Sequence, residues 1–366
     1  RMDLFSEHKY SWQTSPIMIG YRQSLFGYNS LKWDKRIEPV RYQEAKKSYV
    51  ETLELVSANA INKFFALATA QSNYDIASFN YANADTLYRY AQGRYNIGTI
   101  TENEMLQLEL NRLTEETNRM NARIEMDNCM QELRSYLGIQ EEREIRVRVS
   151  SRIPDFSINL NEALALAYEN SPDIQTMKRR KLESESAVAR ARANAGLKAD
   201  IYLRFGLTQT ADKLPEAYRN LLDQQYVSLS ISLPILDWGR GKGQVRVARS
   251  NRDLVYTQVE QNRTDFELNV RKLVKQFNLQ TQRVRIAART DETAQRRNEV
   301  ARKLYILGKS TILDLNASIS EKDSARRNYV SALYNYWSLY YTLRSMTLYD
   351  FESNKLLTED YNLLIE

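Results

Sequence analysis

Glu104 and Asp314 are the acidic residues whose positions most clearly suggest a function. Each stands three residues after a threonine, Thr101 or Thr311, just beyond a glycine-containing turn. This Thr-x-x-Glu/Asp spacing is typical of a capping box, in which the carboxylate accepts a backbone N–H at a helix start. If helices closed around an axis, the same carboxylates would instead form rings of charge of the kind that select cations at a constriction. We keep both interpretations as predictions.

Two glycine-containing segments are superficially similar to phosphate-binding loops. The segment 308–310 (Gly-Lys-Ser) ends like a P-loop, but Lys303 stands where that motif requires glycine, and a helical pattern precedes it instead of a strand. The glycine spacing in 239–243 fits neither the Walker nor the dinucleotide pattern. This second segment therefore favours a flexible joint between a strand and a helix.

Composition excludes several kinds of catalytic and metal site. The chain contains one histidine and one cysteine, His8 and Cys129, which excludes a His/Cys zinc cluster, a Cys-x-x-Cys redox motif and an intrachain disulfide. The net charge of +6 is a weak signal for nucleic acid. The basic cluster 178–181 is interleaved with Glu183 and Glu185, which favours a solvated helix face. We expect no catalytic residue, no cofactor and no metal.

Long, uninterrupted elements must position the two acids, because 366 residues contain only 11 glycines and 6 prolines. Alternation of apolar and polar residues predicts strands over 17–25, 199–209 and 226–235. A helical period follows and predicts helices over about 32–92 and 242–303, each about 90 Å long at 1.5 Å per residue. No run of 18 apolar residues occurs, so no transmembrane helix is predicted.

The chain contains an internal repeat at an offset of 210 residues, which aligns 17–138 with 227–348. A period of this size indicates duplication of a half-domain. The helices predicted over 161–194 would then need counterparts that precede residue 1. We therefore expect an N-terminal segment of the full protein to be missing, with the first strand of the first pair within 1–12 or partly absent.

Heptad spacing in the first long helix predicts coiled-coil packing of large residues against small ones. Gly98 and Gly308 can then end the long helices in the left-handed conformation, and return helices over 101–137 and 311–348 complete two helical hairpins. The heptad positions are Leu53, Ala60, Leu67, Tyr74, Tyr81, Tyr88 and Tyr95, with Ala70, Ala77, Ala84 and Ala91 on the adjacent row.

Four segments together resemble the TolC-type outer membrane efflux protein family. Together with the duplicated unit of strand, long helix and hairpin, they span nearly the whole chain. The segments are 94–101 (RYNIGTIT), 304–317 (LYILGKSTILDLNA), 228–239 (SLSISLPILDWG) and 160–173 (LNEALALAYENSPD). Four strands per chain are too few for a closed membrane barrel, which needs about eight, so several chains must share one.

The resemblance implies a mainly α fold with a small β part and an internal two-fold repeat. Long helical hairpins would form a trimeric α-barrel, and four strands per chain would give a shared 12-stranded transmembrane β-barrel. The implied regions are barrel strands at 1–30 and 199–238, a first long helix and hairpin at 31–139, a linker or equatorial segment at 140–160, helices leading to the barrel at 161–198, a second long helix and hairpin at 239–348 and a C-terminal equatorial tail at 349–366.

The resemblance also implies an outer membrane exit duct with a periplasmic extension, which passively exports drugs, toxins or metals. A periplasmic adaptor and an inner membrane pump would be its partners, and outer membrane lipid would surround it. Asp314 aligns with a gate-lining acid of the family, and Glu104 is its equivalent in the first repeat. The position three residues after Asp314, acidic in some members, is Ala317. The hairpin tips that would contact the adaptor are Ile97, Gly98, Thr99, Leu307, Gly308 and Lys309.

Two other classes of protein remain open. A soluble coiled-coil scaffold or nucleic-acid-binding rod would explain the heptads and the basic balance, but not strands whose alternate positions are so uniformly apolar. An enzyme that uses the glycine-rich segment 239–243 is the more distant alternative, and nucleotide binding would distinguish it.

Overall fold

The structure is a computed structural model that describes residues 11–141, 144–150 and 153–357. Most of these residues are helical. The helices are α1 (Ser30–Asn96), α2 (Glu102–Tyr136), α3 (Leu160–Asn170), α4 (Pro172–Ala195), α5 (Arg240–Ile306) and α6 (Ile312–Thr347), and the strands are β1 (Trp12–Ser24), β2 (Lys198–Ala211), β3 (Leu222–Ser232), β4 (Tyr349–Asp350) and β5 (Lys355–Leu356).

The long helices predicted from the periodic pattern are confirmed, and each extends a few residues beyond its predicted ends. Both α1 and α5 contain 67 residues. Arg240, the first residue of α5, stands 210 positions after Ser30, the first residue of α1. Within the described ranges, no helix has a stretch that is both long and apolar enough to cross a membrane.

The described residues belong to two compact units. The first contains the chain up to Glu44 together with 175–263, and the second contains 45–174 together with 264 onwards. The first unit holds the three-stranded sheet, and the second holds both helical hairpin tips.

The sheet of the first unit is antiparallel, with the order β1-β2-β3. Its register places odd-numbered residues opposite one another, as in Ile19 with Phe205 and Leu203 with Val227. Since side chains alternate between the two faces of a strand, these apolar residues share one face. No described residue covers that face: Ile19 is 69% and Val227 70% exposed.

Polar and aromatic residues occupy the opposite face of the sheet. Arg22, Tyr202 and Ser228 stand side by side across the three strands. The guanidinium of Arg204 lies 5.7 Å from the ring centroid of Tyr226. The sheet thus has one apolar and one polar face, as the alternation of apolar and polar residues along the strands predicted.

The limits of β3 differ from the prediction. The strand begins at Leu222 instead of 226 and ends at Ser232 instead of 235. Apolar alternation continues past the true end, but Pro234 has no N–H to donate to a neighbouring strand. The connection between β2 and β3 is therefore shorter than the predicted strand ends imply, because β2 also extends to Ala211, and a 3₁₀ turn at Glu216–Tyr218 fills part of it. The fourth strand, expected within 1–12, falls on residues outside the described part of the chain, apart from 11 and 12.

Charged pairs join the helices of the first unit. Arg179 on α4 donates from Nε to Glu44 at 2.6 Å, and from Nη1 to Glu183 at 2.9 Å. Lys181 reaches Glu260 at 2.8 Å. Arg179 and Lys181 of the basic cluster 178–181 therefore form ion pairs with carboxylates of the same chain.

In the second unit, α1 lies between α2 and α6. Arg119 and Arg112 of α2 place their guanidiniums 4.1 and 5.4 Å from the ring centroids of Tyr81 and Tyr88. On the α6 side, Asn80 donates to Asp323 at 2.6 Å. The alanines that alternate with these tyrosines are at most 7% exposed, so the heptad seam is a packed interface as predicted. The alanines are Ala70, Ala77, Ala84 and Ala91.

Helix α6 in turn lies between α1 and α5, and an aromatic cluster forms this part of the core. Phe277 and Tyr336 are fully buried, with ring centroids 5.1 Å apart. The hydroxyl of Tyr336 donates to the carbonyl of Pro154 at 3.0 Å. Asn278 exchanges two hydrogen bonds with the backbone of Ile158, at 2.8 and 2.9 Å. The irregular segment 153–159 is thereby held against α5.

We expect Phe277→Ala to lower the free energy of unfolding by about 3–5 kcal/mol, because it opens a cavity in a fully packed aromatic cluster. Denaturant unfolding followed by tryptophan fluorescence measures the change. Leu55→Ala, at a residue that is 49% exposed on α1, serves as the control and should change the value by no more than about 0.5 kcal/mol. Equal effects of the two substitutions would contradict the assignment of the core.

Candidate functional site

The first hairpin tip is a glycine-terminated helix end. Gly98 has a φ of +69°, the left-handed conformation that glycine adopts without a steric cost. Its N–H donates to the carbonyl of Tyr95, and the N–H of Thr99 donates to that of Arg94, both at 2.9 Å. These two bonds form a Schellman motif, which satisfies carbonyls at the end of α1.

The capping box predicted at the start of α2 is present. The Glu104 N–H donates to the hydroxyl oxygen of Thr101 at 3.3 Å, and the Thr101 N–H donates to the Glu104 carboxylate at 2.9 Å. Each residue satisfies a backbone donor of the other, so the start of α2 is capped by side chains of the tip itself.

The second tip repeats this geometry. Gly308 has a φ of +70° and the same pair of bonds, with Gly308 donating to Tyr305 and Lys309 donating to Leu304. Asp314 completes the second capping box: its N–H donates to Thr311 Oγ1 at 3.1 Å, and its Oδ2 accepts from the Thr311 N–H at 3.3 Å and from the Thr311 hydroxyl at 2.7 Å. Both predicted capping boxes are confirmed.

Hydrogen bonds from Thr311, first from its hydroxyl and then from its N–H, lower the pKa of Asp314, and Ser310 and the charge of Arg297 act in the same direction. A lowered pKa in the folded state favours the ionised carboxylate. The contribution of this cap to stability is therefore present above the ordinary aspartate pKa and is lost as the pH falls through the lowered value.

The two tips are neighbours in the second unit, and a tyrosine lies where they meet. Burial raises the pKa of Tyr305, while Arg94 is close enough to lower it and Glu104 to raise it. The structure thus brings Glu104 near the end of α5. The sequence analysis assigns no role to Tyr305. Its only signal in the sequence is Tyr95, the tyrosine 210 residues earlier at the matched position of the first tip.

A small, mostly apolar cavity of about 190 Å³ lies behind the second tip, between α1, α5 and α6. Tyr90, Tyr305 and Leu315 are among its lining residues. The tip is therefore not packed solid against α1.

Apolar side chains project from both tips. Ile97 is 73% exposed, Leu307 67% and Leu313 71%. Thr99 and Lys309, the remaining non-glycine tip residues, are also exposed. Large apolar residues at such exposure are typical of surfaces that contact another molecule.

The glycine-rich segment 239–243 has the geometry of a joint between a strand and a helix. Gly239 has a φ of +81°, and the Asp237 carboxylate accepts the N–H groups of Gly239 and Gly241 at 3.0 and 2.8 Å. Two N–H groups that a phosphate would need are thus already bound. Across the described ranges, no group of three or more His, Cys, Asp or Glu side chains is placed to hold a metal.

Thr311→Ala should open the second tip more often, because it removes the hydroxyl that links Asp314 to the helix start. Loss of such a cap costs about 1 kcal/mol, which corresponds to roughly a fivefold larger open population. The rate of trypsin cleavage after Lys309 reports this opening. Thr293→Ala is the matched control, since that hydroxyl bonds only to its own helix at Arg289. Equal cleavage rates for the two variants would refute the role of the cap.

Solved outer membrane channels have a similar fold. The Campylobacter jejuni CmeC channel is 15% identical with a TM-score of 0.73, and the match covers 98% of this chain and 80% of that chain. The Vibrio cholerae outer membrane protein VceC is 14% identical with a TM-score of 0.71, covering 92% and 85%. The open-state Neisseria gonorrhoeae MtrE channel is 14% identical with a TM-score of 0.70, covering 96% and 82%.

Comparison with curated protein sequences gives no match. The family profile described as outer membrane efflux protein matches residues 163–347, which is half of the chain. The match includes α4, the sheet strands β2 and β3, and the whole second hairpin with its capped tip. The chain belongs to the outer membrane efflux protein family.

Proposed function

We propose that this chain is the protomer of a homotrimeric outer membrane duct. The duct passively exports small molecules that a periplasmic adaptor and an inner membrane pump deliver to it. Its sheet would contribute to a shared transmembrane barrel of twelve strands, four from each chain, and its helices to a periplasmic extension. No catalytic group and no cofactor takes part.

The uncovered apolar face of the sheet is the observation that carries this proposal. Ile17, Ile19, Val227, Leu229 and Ile231, on the two outer strands, are at least 59% exposed, and the register places them on one face. Apolar area of this extent is costly in water and is favourable against lipid. Within the described residues, β1 and β3 also pair on one side only, so strands of further copies can extend the sheet.

The helices of the second unit offer a matching argument for self-assembly. An apolar stripe runs along α2 at heptad spacing, on the side away from the arginines that stack on α1. It contains Leu106, Leu110, Leu113, Met120 and Ile124, all at least 45% exposed. Helix α5 carries a second stripe on the side away from α6, with Leu268, Leu279, Ile286 and Val300 at least 49% exposed. Two different surfaces on opposite sides of one chain that bind each other generate a ring when the rotation between successive chains closes.

Charge supports the same pairing of α2 with α5. Helix α2 contains eight acidic and four basic residues, whereas α5 contains sixteen basic and seven acidic residues. The repeat offset also supplies a register. Ile76 of α1 and Val330 of α6 line one cavity within the chain. Their counterparts 210 residues away, Ile286 of α5 and Met120 of α2, would therefore face each other between neighbouring chains.

The tips would carry the two remaining roles. The exposed side chains of Ile97 and Leu307, with Gly98, Thr99, Gly308 and Lys309 around them, would contact the helical hairpins of the adaptor. Asp314 and Glu104 would line the periplasmic gate. Opening would move one hairpin away from the other, biased by adaptor contacts at the tips.

Planar-bilayer conductance of the detergent-extracted full-length protein tests the duct and the gate. We expect discrete channels of small resting conductance, and a higher resting conductance for Asp314→Ala, because the charge and the cap at the constriction are both lost. Thr311→Ala removes the hydroxyl partner and keeps the carboxylate, so it separates these two causes. A protein that stays in solution without detergent and forms no channels would be a coiled-coil rod instead.

Cysteine cross-linking tests the assembly. In a Cys129→Ser background, Met120→Cys combined with Ile286→Cys should form disulfides between chains and give covalent trimers on a non-reducing gel. Met120→Cys combined with Leu268→Cys is the control, because residue 268 precedes residue 286 by 18 residues, about 27 Å along α5. Equal cross-linking of both pairs, or of neither, would rule out this pairing of α2 with α5.

A further inference from the structure

Three helix ends meet at one edge of the sheet in the first unit. The register pairs Ser24, the last residue of β1, with Asp200 near the start of β2. It also pairs Lys198, the first residue of β2, with Ser232, the last residue of β3. Helix α4 therefore ends at this edge, and α1 and α5 both start from it.

The segments at this edge also contact one another. A Cβ atom on Gly241 of α5 would come within 2.9 Å of the Ala195 Cβ of α4. Tyr28, which precedes α1, shares a hydrogen bond with Ser186 of α4 at 2.6 Å, and the Arg190 guanidinium lies 4.6 Å from its ring centroid. We call these segments the junction: 25–36, 190–198 and 233–249.

The junction concentrates the positive charge of the chain. It contains ten basic and two acidic residues, a net charge of +8, whereas the whole chain has +6, so the rest of the chain is net negative. The connection 212–221, at the other end of the sheet, contains two basic and two acidic residues. All but one of the ten basic residues of the junction are exposed. They are Lys32, Lys35, Arg36, Arg190, Arg192, Lys198, Arg240, Lys242, Arg246 and Arg249.

These ten charges are not neutralised by the chain in the way that neighbouring ones are. Just outside the junction, Arg22 lies 3.8 Å from Asp200, and Arg252 lies 2.7 Å from Asp253. Among the residues that the structure describes, no carboxylate lies within 4 Å of a charged nitrogen of the ten. The junction therefore has an excess of cations that only a partner outside the chain can balance.

The basic positions recur in both halves of the chain. Lys32 and Arg36 of α1 stand 210 residues before Lys242 and Arg246 of α5, which is the offset between the starts of the two helices. The members of each pair are four residues apart and share a helix face. Neither helix has an acidic residue in its first turn, where the helix dipole favours one. Both pairs therefore favour a nearby anion.

Large apolar side chains lie beside these charges. Leu25 continues the odd-numbered apolar positions of β1, and its N–H donates to the carbonyl of Ala199 at 2.7 Å. Leu31, Ile235 and Trp238 are 78%, 85% and 94% exposed. An exposed tryptophan between an apolar surface and basic residues is typical of the interface between a membrane and water.

We propose that the junction binds anionic phospholipids of the periplasmic leaflet of the outer membrane. Their phosphate groups pair with its lysines and arginines, and their acyl chains lie against the apolar face of the sheet. A zwitterionic lipid satisfies the junction less well, because its headgroup brings a cation of its own. This assignment rests on the proposed function, since only an inserted sheet brings the junction to the membrane surface. Three chains would supply six copies of the equivalent basic pair.

Electron paramagnetic resonance of labelled lipids tests this assignment. The full-length protein is reconstituted in phosphatidylcholine vesicles that contain a trace of phosphatidylglycerol or of phosphatidylcholine with a nitroxide on an acyl chain. The immobilised fraction of the label measures association with the protein. We expect phosphatidylglycerol to associate at least about threefold more strongly than phosphatidylcholine, and about 0.5 M salt to reduce this preference.

Lys242→Gln combined with Arg246→Gln should lower the preference for phosphatidylglycerol at least about twofold, because each basic residue near a membrane surface adds to the attraction of anionic lipid. Lys32→Gln combined with Arg36→Gln should have a similar effect, since these residues occupy the equivalent positions of the first repeat. The second variant also keeps the test decisive if the first one does not fold.

Lys272→Gln combined with Lys275→Gln is the matched control. It removes the same charge from exposed positions of the same helix, 30 residues after Lys242, and should leave the lipid preference unchanged. An equal loss in this control would show that total charge, and not the junction, attracts the lipid.

The other outcomes separate this assignment from the proposed duct. Equal immobilisation of the two lipids by the unsubstituted protein would refute lipid recognition at the junction and leave the duct intact. Loss of the preference in about 10 mM inorganic phosphate at constant ionic strength would indicate a site for the free ion and refute it as well. If neither lipid is immobilised, the protein is not in the bilayer, and both the duct and the lipid site are refuted.

Discussion

The described residues expose more apolar surface than they bury against one another at the sheet, α2 and α5. The other features of the structure depend on this exposed surface. One face of the sheet and one stripe on each of α2 and α5 have no partner within the described residues, although α1 and α6 are packed on both sides. Hydrophobic burial is the main favourable term in folding, so surfaces of this size require lipid or further protein. The central helices α1 and α6 are thus packed on both sides, whereas α2, α5 and the sheet keep apolar surface exposed, which supports the proposed assembly.

The parts of the fold that follow from local signals were predictable from the sequence. The heptad rows located α1, and Gly98 and Gly308 located its end and that of α5, because helix periodicity and left-handed glycine caps depend on neighbouring residues only. The end of β3 was misplaced because apolar alternation runs through Pro234, and a strand ends where hydrogen bonding ends. The proximity of Tyr305 to Arg94 and Glu104 could not be predicted, since it depends on how two hairpins pack.

Polar pairs, one of them partly buried, set the alignment of α6 against α1. Arg344 of α6 forks onto Glu54 at 2.9 and 3.0 Å and also reaches Asp350 at 3.4 Å. Further along the same helices, Tyr334 donates to Asn62 at 3.1 Å. Buried ion pairs of this kind add little net stability over an apolar pair, because desolvation offsets the attraction, but breaking one leaves an unpaired charge. They therefore select one register along a heptad seam that could otherwise slide by a turn.

The two tips have a mechanical consequence. At each tip, the backbone groups freed by the helix end are bonded to residues of the same tip, from 94 to 104 and from 304 to 314. Displacing one hairpin against the other would leave all of these bonds in place. The cost of such a motion falls instead on pairs between hairpins, such as Asn80 with Asp323. In the proposed opening, each tip would therefore move as a rigid body with an unchanged surface. The resistance to the movement would come from contacts between helices further from the tips.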